Sequence, residues 1–370
     1  MQKSIDRTLL ILVLILVAGG FLIFSSASLG LLAREGARFS SIALNQFGFG
    51  VVGGLITLLV MSNIHYRLWR KYAFYFFIAS FLMTLLVFVP KLGAMHGGAR
   101  RWIDIGSFSL QPAEFLKITF IIYMATWLSG MQKYVGTFTK GTLPFVGFLG
   151  LMGAVMLAQP DTDTYALMAV SAGAMFIVAG GRWRDMFMLF IAGVLILTVL
   201  AFSRPYIMSR IVTFMNPSAD PHGKGYQIQQ SLIAVGSGGI TGRGFGQSIQ
   251  KFEYLPEPVS DSIFAVYSEE FGFLGSFALI TLFTFFAFRG YTIASHTPDI
   301  FGALLVIGFI TLIVMQAFLN MAAMLGVAPL SGNPLPFVSH GGTALLATLA
   351  SVGIILNVSK YAHPKKPPTP

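Results

Sequence analysis

Apolar residues in this chain run together rather than alternate. Long apolar stretches occupy 8–28, 40–62, 72–92, 113–130, 143–159, 163–180, 185–203, 263–288, 301–325 and 339–359. Each is close to the roughly 20 residues that a helix needs to cross a bilayer. Strands of a membrane barrel would alternate apolar and polar residues with a period of two, and inside lipid only helices and closed barrels satisfy their own backbone. The pattern predicts an all-α integral membrane protein with ten transmembrane helices.

An even number of spans puts both termini on one side, and the basic residues between the spans say which. One set of segments holds 13 of them: Lys3, Arg7, Arg67, Arg70, Lys71, Lys133, Lys140, Arg182, Arg184, Arg289, Lys360, Lys365 and Lys366. The short segments of the other set hold five, Arg34, Arg38, Lys91, Arg100 and Arg101. Both termini are therefore expected in the cytoplasm. The first span, preceded by Lys3 and Arg7 and followed by "SSAS", is longer than the apolar core of a cleaved signal peptide and is expected to stay as a signal anchor.

Most of the remaining polar sequence then falls outside. Segment 93–112 is about 20 residues, and a large extracytoplasmic loop of about 204–262 joins helices seven and eight. Residues 1–360 read as a single polytopic domain and 361–370, ending "HPKKPPTP", as a disordered cytoplasmic tail.

Composition agrees: 55% of residues are hydrophobic and 10% charged, where a soluble domain carries about 25% charged residues. The net charge of +10 reflects topology and attraction to anionic membrane lipid, and no Lys/Arg cluster points to nucleic acid. With no Cys there is no disulfide and no thiolate metal site. The six His are scattered without an H-x-x-x-H pair, which argues against a His-based metal cage. The Gly-rich "GSGGITGRGFGQS" (236–248) lacks the Lys-Ser/Thr end of a nucleotide loop. It reads either as tight turns or as backbone approaching a phosphate or sugar, with Arg243 in its midst.

What chemistry remains lies in carboxylates and cations at the outer boundary. Glu114 and Lys117 in "QPAEFLK" are three apart on one helix and can pair. They form either a buried structural ion pair or a pair whose Lys117 also faces a phosphate or a catalytic carboxylate. Arg101, beside Trp102, is either an interfacial anchor or an anion clamp. Asp261 precedes the apolar run at Ile263, where a carboxylate can cap the helix or work at the water boundary. Glu269 is about 12 Å deeper and about 80° around the helix, and Glu270 about 180° around, so the three cannot share one compact site. Glu269 and Glu270 are expected to bind neighbouring helices.

These residues sit in segments that resemble the SEDS family (shape, elongation, division and sporulation) of bacterial cell-wall polymerases nearly end to end. The resemblance rests on "FSSAS", "GGARRWIDIGSFSLQPAEFLK" (97–117), "QPDTDT" (159–164), the long stretch 210–272 that includes "YLPEPVSDSIFAVYSEEFG", and "PFVSHGGTALL" (336–346). "QPAE" and "GQSIQKFEYLPE" favour the division (FtsW-like) branch over the elongation (RodA-like) branch. Three places depart from the usual pattern: Ser262 where an aromatic is common, Asp163 where Gly is usual, and Val259-Ser260 where "HT" is frequent.

The resemblance implies a peptidoglycan glycosyltransferase that polymerises lipid II, an undecaprenyl-pyrophosphate-linked disaccharide-pentapeptide, on the outer face of the bacterial cytoplasmic membrane. Asp261 matches the family's essential loop Asp, the expected general base, and Glu114 and Lys117 match its charged pair. Arg101, Lys117, Arg210 and Arg243 are the candidate cations for the pyrophosphate, with Glu114 beside them. A divalent cation, Mg or Mn, held mainly by substrate phosphates is compatible with the family, and no organic cofactor is implied. The implied partners are a single-span class B penicillin-binding protein transpeptidase and other division or elongation complex proteins. The alternative, a flippase for a lipid-linked precursor, would place polar groups near the bilayer midplane.

Overall fold

A computed structural model describes residues 4–34, 42–89, 92–96, 99–105, 108–221, 223–252 and 254–362. Residues 363–370 of the expected tail, together with Lys3, Arg38, Lys91, Lys365 and Lys366, lie outside the described residues. Among the described residues eight helices are long and apolar enough to cross a membrane, so this is a multi-pass membrane protein. We label the elements α1 (Arg7–Arg34), α2 (Ile42–Asn63), α3 (Arg67–Leu85), β1 (Gly93–His96), β2 (Ala99–Ile105), β3 (Phe108–Leu110), α4 (Pro112–Gly130), α5 (Leu143–Ala158), α6 (Thr162–Val178), α7 (Trp183–Ser203), α8 (Pro205–Met215), α9 (Lys224–Ser237), α10 (Ile263–Ser295), α11 (Ile300–Met324) and α12 (Gly342–Ser359). The two predicted spans missing from the eight are α4, which is diluted by Glu114 and Lys117, and α6, which has 17 residues.

The structure corrects the all-α expectation. Segment 93–110 folds into a three-stranded antiparallel sheet in the order β1-β2-β3. Its register pairs Ala94 with Trp102 but Met95 with Arg100, which makes Arg101 the extra residue of a β-bulge. A bulge bends its strand and re-aims the side chain at that position.

Helix α11 is the core: 89% of its apolar window is buried, and α10, α6, α4 and α12 pack on it. At the other extreme, only 6% of the α7 window is buried, and Phe187, Phe190, Leu195 and Phe202 point outward. Without water around it, such a helix is held by little more than its connections.

Polar contacts gather at the two ends of the bundle. At one end Arg289 grips Asp6 at 2.6 Å, the Asp6 amide donates to Ser359 Oγ, and the Tyr66 amide donates to Asn357 Oδ1 at 2.8 Å. At the other end lie the sheet, the starts of α4, α6, α10 and α12, the end of α11, and the two helices α8 and α9 of the long segment between α7 and α10.

Helix α10 is broken where the sequence reads as continuous. Gly272 has φ 63°, ψ −160°, a conformation open essentially to glycine alone. The helical bonds lost there are remade with the Gly-rich segment. The Glu269 and Glu270 carbonyls accept from the Arg243 and Gly244 amides at 3.0 and 2.9 Å, and the Phe273 and Leu274 amides donate to Gly239 and Ile240 at 2.9 and 3.1 Å. Backbone groups left unpaired at membrane depth are costly, so this exchange is what permits the break. It also explains Gly242, whose φ is 82° and whose missing Cβ leaves room for the Glu270 carbonyl. Of the two readings of "GSGGITGRGFGQS", backbone turns against a helix are what the contacts display.

Candidate active site

Asp261 stands at the start of α10 but does not cap it: Ser262 occupies the cap position and makes no side-chain capping bond. The Asp261 carboxylate instead touches Ser260, whose hydroxyl lies 3.3 Å from Oδ1 and accepts the Asp261 amide at 2.6 Å. The surrounding backbone is clamped from three sides. Asn320 of α11 donates to the Asp261 carbonyl at 2.9 Å. Ser339 donates to the Ser260 carbonyl at 2.6 Å, and the His340 amide to the Val259 carbonyl at 2.7 Å. Gln46 of α2 in turn accepts from the Gly341 amide at 3.1 Å. Burial, with the nearby Glu257 charge, pushes the Asp261 carboxyl up to about 6, against the opposing effects of Ser260 and Arg210.

Two Arg-carboxylate pairs lie in the same region, and the nearer, Arg210 with Asp163, acts on the charge of Asp261. Arg210 of α8 holds both oxygens of Asp163 at 2.6 Å, and the Gly332 amide donates to the same carboxylate at 3.1 Å. Arg101, turned inward by its bulge, lies 3.7 Å from Asp161 and donates to the carbonyls of Gln159 and Pro160. Asp161 caps α6 through the Thr164 amide, and burial raises its carboxyl despite Arg101. The Tyr206 ring joins the group: the Arg210 guanidinium is 4.6 Å and the Lys224 ammonium 4.9 Å from its centroid, and the Tyr206 hydroxyl is 3.5 Å from Arg101.

Several polar atoms here are buried without a protein partner among the described residues. Of the eight such side-chain atoms, five lie in this region: Asp161 Oδ2, Arg210 Nε, Asn320 Oδ1, Ser331 Oγ and Asn333 Nδ2. Buried polar groups are normally paired. Their concentration here leaves this region with polar groups that a ligand or water can meet.

Other candidates lie apart. Lys117 is buried and bonded to Glu114 at 2.8 Å and to Gln316 Oε1 at 3.1 Å, while Gln316 donates to the Pro334 carbonyl at 2.8 Å. This pair reaches the site through α11, where Gln316 and Asn320 share a face one turn apart and hold neighbouring carbonyls of 333–334. Arg243 sits 3.4 Å from Glu269 rather than with Asp261. The expectation that Glu269 and Glu270 bind neighbouring helices is corrected in the main. Glu269 accepts from the Ser248 hydroxyl and the Ile249 and Gln250 amides at 2.6, 3.1 and 3.2 Å, so its chief partner is the long segment before α10, while Ser237 of the neighbouring helix α9 donates to it at 3.3 Å. Glu270 binds Lys251 of the same segment at 2.7 Å and, from a helix, Ser26 of α1.

Sequence reading missed Tyr206, Lys224, Asn320, Ser331 and Asn333 as site residues. Asn320 had a usable signal, standing with Gln316 as one of two amides in a strongly apolar helix. "SGNP" at 331–334 had another, a polar turn between two spans.

Among the described residues no three His, Asp or Glu side chains converge to hold a metal ion. Asp163 is engaged by Arg210, which leaves Asp161 Oδ2 as an open carboxylate oxygen. Among the described residues these carboxylates are too few to cage a metal on their own, and their open oxygens fit a divalent ion that phosphates help to hold. A cavity of about 380 Å³ lies beside the α10 break, lined by Val235, Gly239, Phe264, Gly272, Phe277 and Leu325 among others. None of the charged site residues lines it.

The fold and site together define a polytopic membrane protein whose carboxylates, arginines and unpaired polar atoms converge at one end of the bundle. The chain belongs to the cell cycle protein family that groups FtsW, RodA and SpoVE, whose profile matches residues 6–364. It is 38% identical over 362 residues to stage V sporulation protein E of Bacillus subtilis, covering 98% of this chain and 99% of that one. It is 37% identical over 366 residues to the probable peptidoglycan glycosyltransferase FtsW of Geobacter metallireducens, covering 96% of each. Among solved structures it is similar to a chain of a peptidoglycan synthase complex described for its coordination of polymerization and crosslinking. That match has TM-score 0.78 and 26% identity over 96% of this chain and 98% of that one. It is also similar to a mutant of the rod shape determining protein RodA of Thermus thermophilus, with TM-score 0.68 and 25% identity over 98% and 99%.

Proposed function

We infer that this protein is a peptidoglycan glycosyltransferase that polymerises lipid II at the outer face of the bacterial cytoplasmic membrane. The reading includes ten spans, with α4 and α6 completing the eight, and both termini in the cytoplasm. The observation that carries the chemistry is Asp261: a carboxylate fixed by its backbone on three sides, without an ion pair among the described residues, and raised toward neutrality by burial. A general base is most effective with a pKa near the working pH.

In the reaction the C4 hydroxyl of the acceptor sugar attacks the anomeric carbon of the donor. The new C–O bond forms as the bond from that carbon to the pyrophosphate oxygen breaks. Asp261 takes the hydroxyl proton, and undecaprenyl pyrophosphate leaves with the bonding electrons. One displacement converts an α-linked pyrophosphate into a β-linked glycan. Arg210, whose charge acts on Asp261, and Arg101, which meets the Tyr206 hydroxyl, are the counterparts proposed for the departing negative charge, whereas Lys117 supports the 333–334 turn through Gln316. Mg or Mn would add charge at the phosphates; no step depends on it here. The apolar cavity beside Gly272 suits part of a lipid chain entering from the membrane.

A single-span class B penicillin-binding protein is the proposed partner. The related synthase complex supports that pairing. Contact is proposed along the lipid-facing surface of α10 and α11 and the outer loops, with other division or elongation proteins around it.

The test is synthesis of glycan strands from lipid II by purified protein, with Asp261→Asn as comparison. Loss of the base predicts a deficit of about 10²–10⁴-fold. Strand synthesis at wild-type rates by Asp261→Asn removes this mechanism.

A further inference from the structure

Lys224 opens α9, where its amide is fixed by Asp220 Oδ2 at 2.9 Å. Its half-buried ammonium rests 4.9 Å from the centroid of the Tyr206 ring. The Arg210 guanidinium packs 4.6 Å from the same centroid, and Arg101 meets the hydroxyl of that ring. The two arginines have carboxylate partners, Asp163 and Asp161. Lys224 has no ion-pair partner among the described residues, and Arg210 Nε is buried with no acceptor. A lone ammonium beside two guanidiniums is repelled by them, and an arrangement of that kind is relieved by an added anion. The charged groups acting on Lys224 are Arg210, Asp163, Arg101 and Asp220.

We propose that Lys224, Arg210 Nε and Tyr206 form a phosphate site that receives the diphosphate of the lipid-linked substrate, with Lys224 as its determining cation. This rests on the polymerase reading and adds to it a binding residue. The shared ligand chemistry is a phosphate at the membrane surface, which a phospholipid headgroup also carries. Burial next to Arg210 pulls the Lys224 ammonium down to about 8. Bound phosphate favours the charged form, so affinity is full below pH 8 and falls as pH rises through it, by up to about tenfold per unit.

The experiment measures binding of undecaprenyl pyrophosphate to the full-length protein in phosphatidylcholine nanodiscs from pH 6.5 to 9, which needs no turnover. Lys224→Met is expected to weaken binding about 10- to 100-fold, the usual loss for a charge-assisted hydrogen bond, and to flatten the profile around pH 8. Lys224→Arg is expected to restore affinity and hold it to pH 9, because guanidinium does not titrate there. Wild-type affinity and wild-type pH dependence in Lys224→Met overturn the proposal. Displacement of the ligand by phosphatidylglycerol added to the nanodiscs, abolished by Lys224→Met while pyrophosphate binding is not, assigns the site to membrane lipid and also overturns it. A wild-type protein that polymerises lipid II while Lys224→Met binds normally leaves the polymerase reading intact. A wild-type protein that binds through Lys224 yet makes no glycan does the reverse.

Discussion

Lys251 and Glu270 meet at 2.7 Å with side chains 0% and 1% exposed, joining the long segment between α7 and α10 to the first turns of α10. Ser26 of α1 donates to the same carboxylate at 2.6 Å, and Lys251 also donates to the Gly246 carbonyl at 2.9 Å. Every strong partner of this pair is inside the protein, so removing either member strands a charge.

Glu270→Gln is expected to cost about 3–5 kcal/mol, the usual penalty for breaking a buried pair. The double change Glu270→Gln, Lys251→Met should recover much of it. Thermal unfolding in detergent reads both, and hydrogen exchange should rise over 246–251 in the single variant first. Equal stability of the single variant and wild type would contradict the buried pair.

The same logic applied to Glu114 and Lys117 predicts that Lys117→Met loses about 3–5 kcal/mol and that Glu114→Gln combined with it is nearly neutral. If the double variant is no more stable than Lys117→Met, the energy lies in the Gln316 contact instead.

Activity should carry the titration of Asp261. Its carboxyl is raised to about 6 by burial and by Glu257. The base works only when ionised, so kcat/KM should rise with pH through about 6 and level off above 7. Glu257→Gln, by removing a like charge, should move that limb to lower pH. A profile flat from pH 5 to 8 in wild type speaks against Asp261 as the base.

A raised carboxyl also disfavours folding once it ionises. The penalty is absent below about pH 4, where Asp261 is protonated folded or unfolded, and complete above about 6. Asp261→Asn should therefore be inactive yet more stable at pH 7.5, by on the order of 1–3 kcal/mol. Melting temperatures of the two proteins at pH 4 and pH 7.5 check this; a gap that does not widen at the higher pH refutes it.

Gly272→Ala places a Cβ against the backbone of Ile240 and Gly242 at a φ that alanine avoids. It is expected to cost at least about 1–3 kcal/mol. Unfolding curves in detergent would show it, and an unchanged midpoint would mean that the break closes into a regular helix.

The sequence exposed what depends on local order. Apolar length located the helices, the spacing of Glu114 and Lys117 put them on one face, and Asp261 was visible as a carboxylate at the edge of an apolar run. Features made by pairing across long separations were hidden. Arg210 and Asp163 are 47 residues apart and Lys251 and Ser26 are 225 apart, and no periodicity links them. The sheet was hidden because its strands of four, seven and three residues are too short to show a period. Gly272 is one of forty glycines, and only its partners in 239–244 distinguish it.

The bulge at Arg101 gives strand β2 a parity. Side chains in a strand change face with each residue, so one residue added between Arg101 and Ile103, which pairs with Leu110, would turn the guanidinium from Asp161 toward the opposite surface, while two would leave it pointing home. The stretch between Arg101 and the pairing with β3 thus keeps the guanidinium on Asp161 only if it changes length in even steps, and exchanging it between relatives is a matter of counting residues before comparing them.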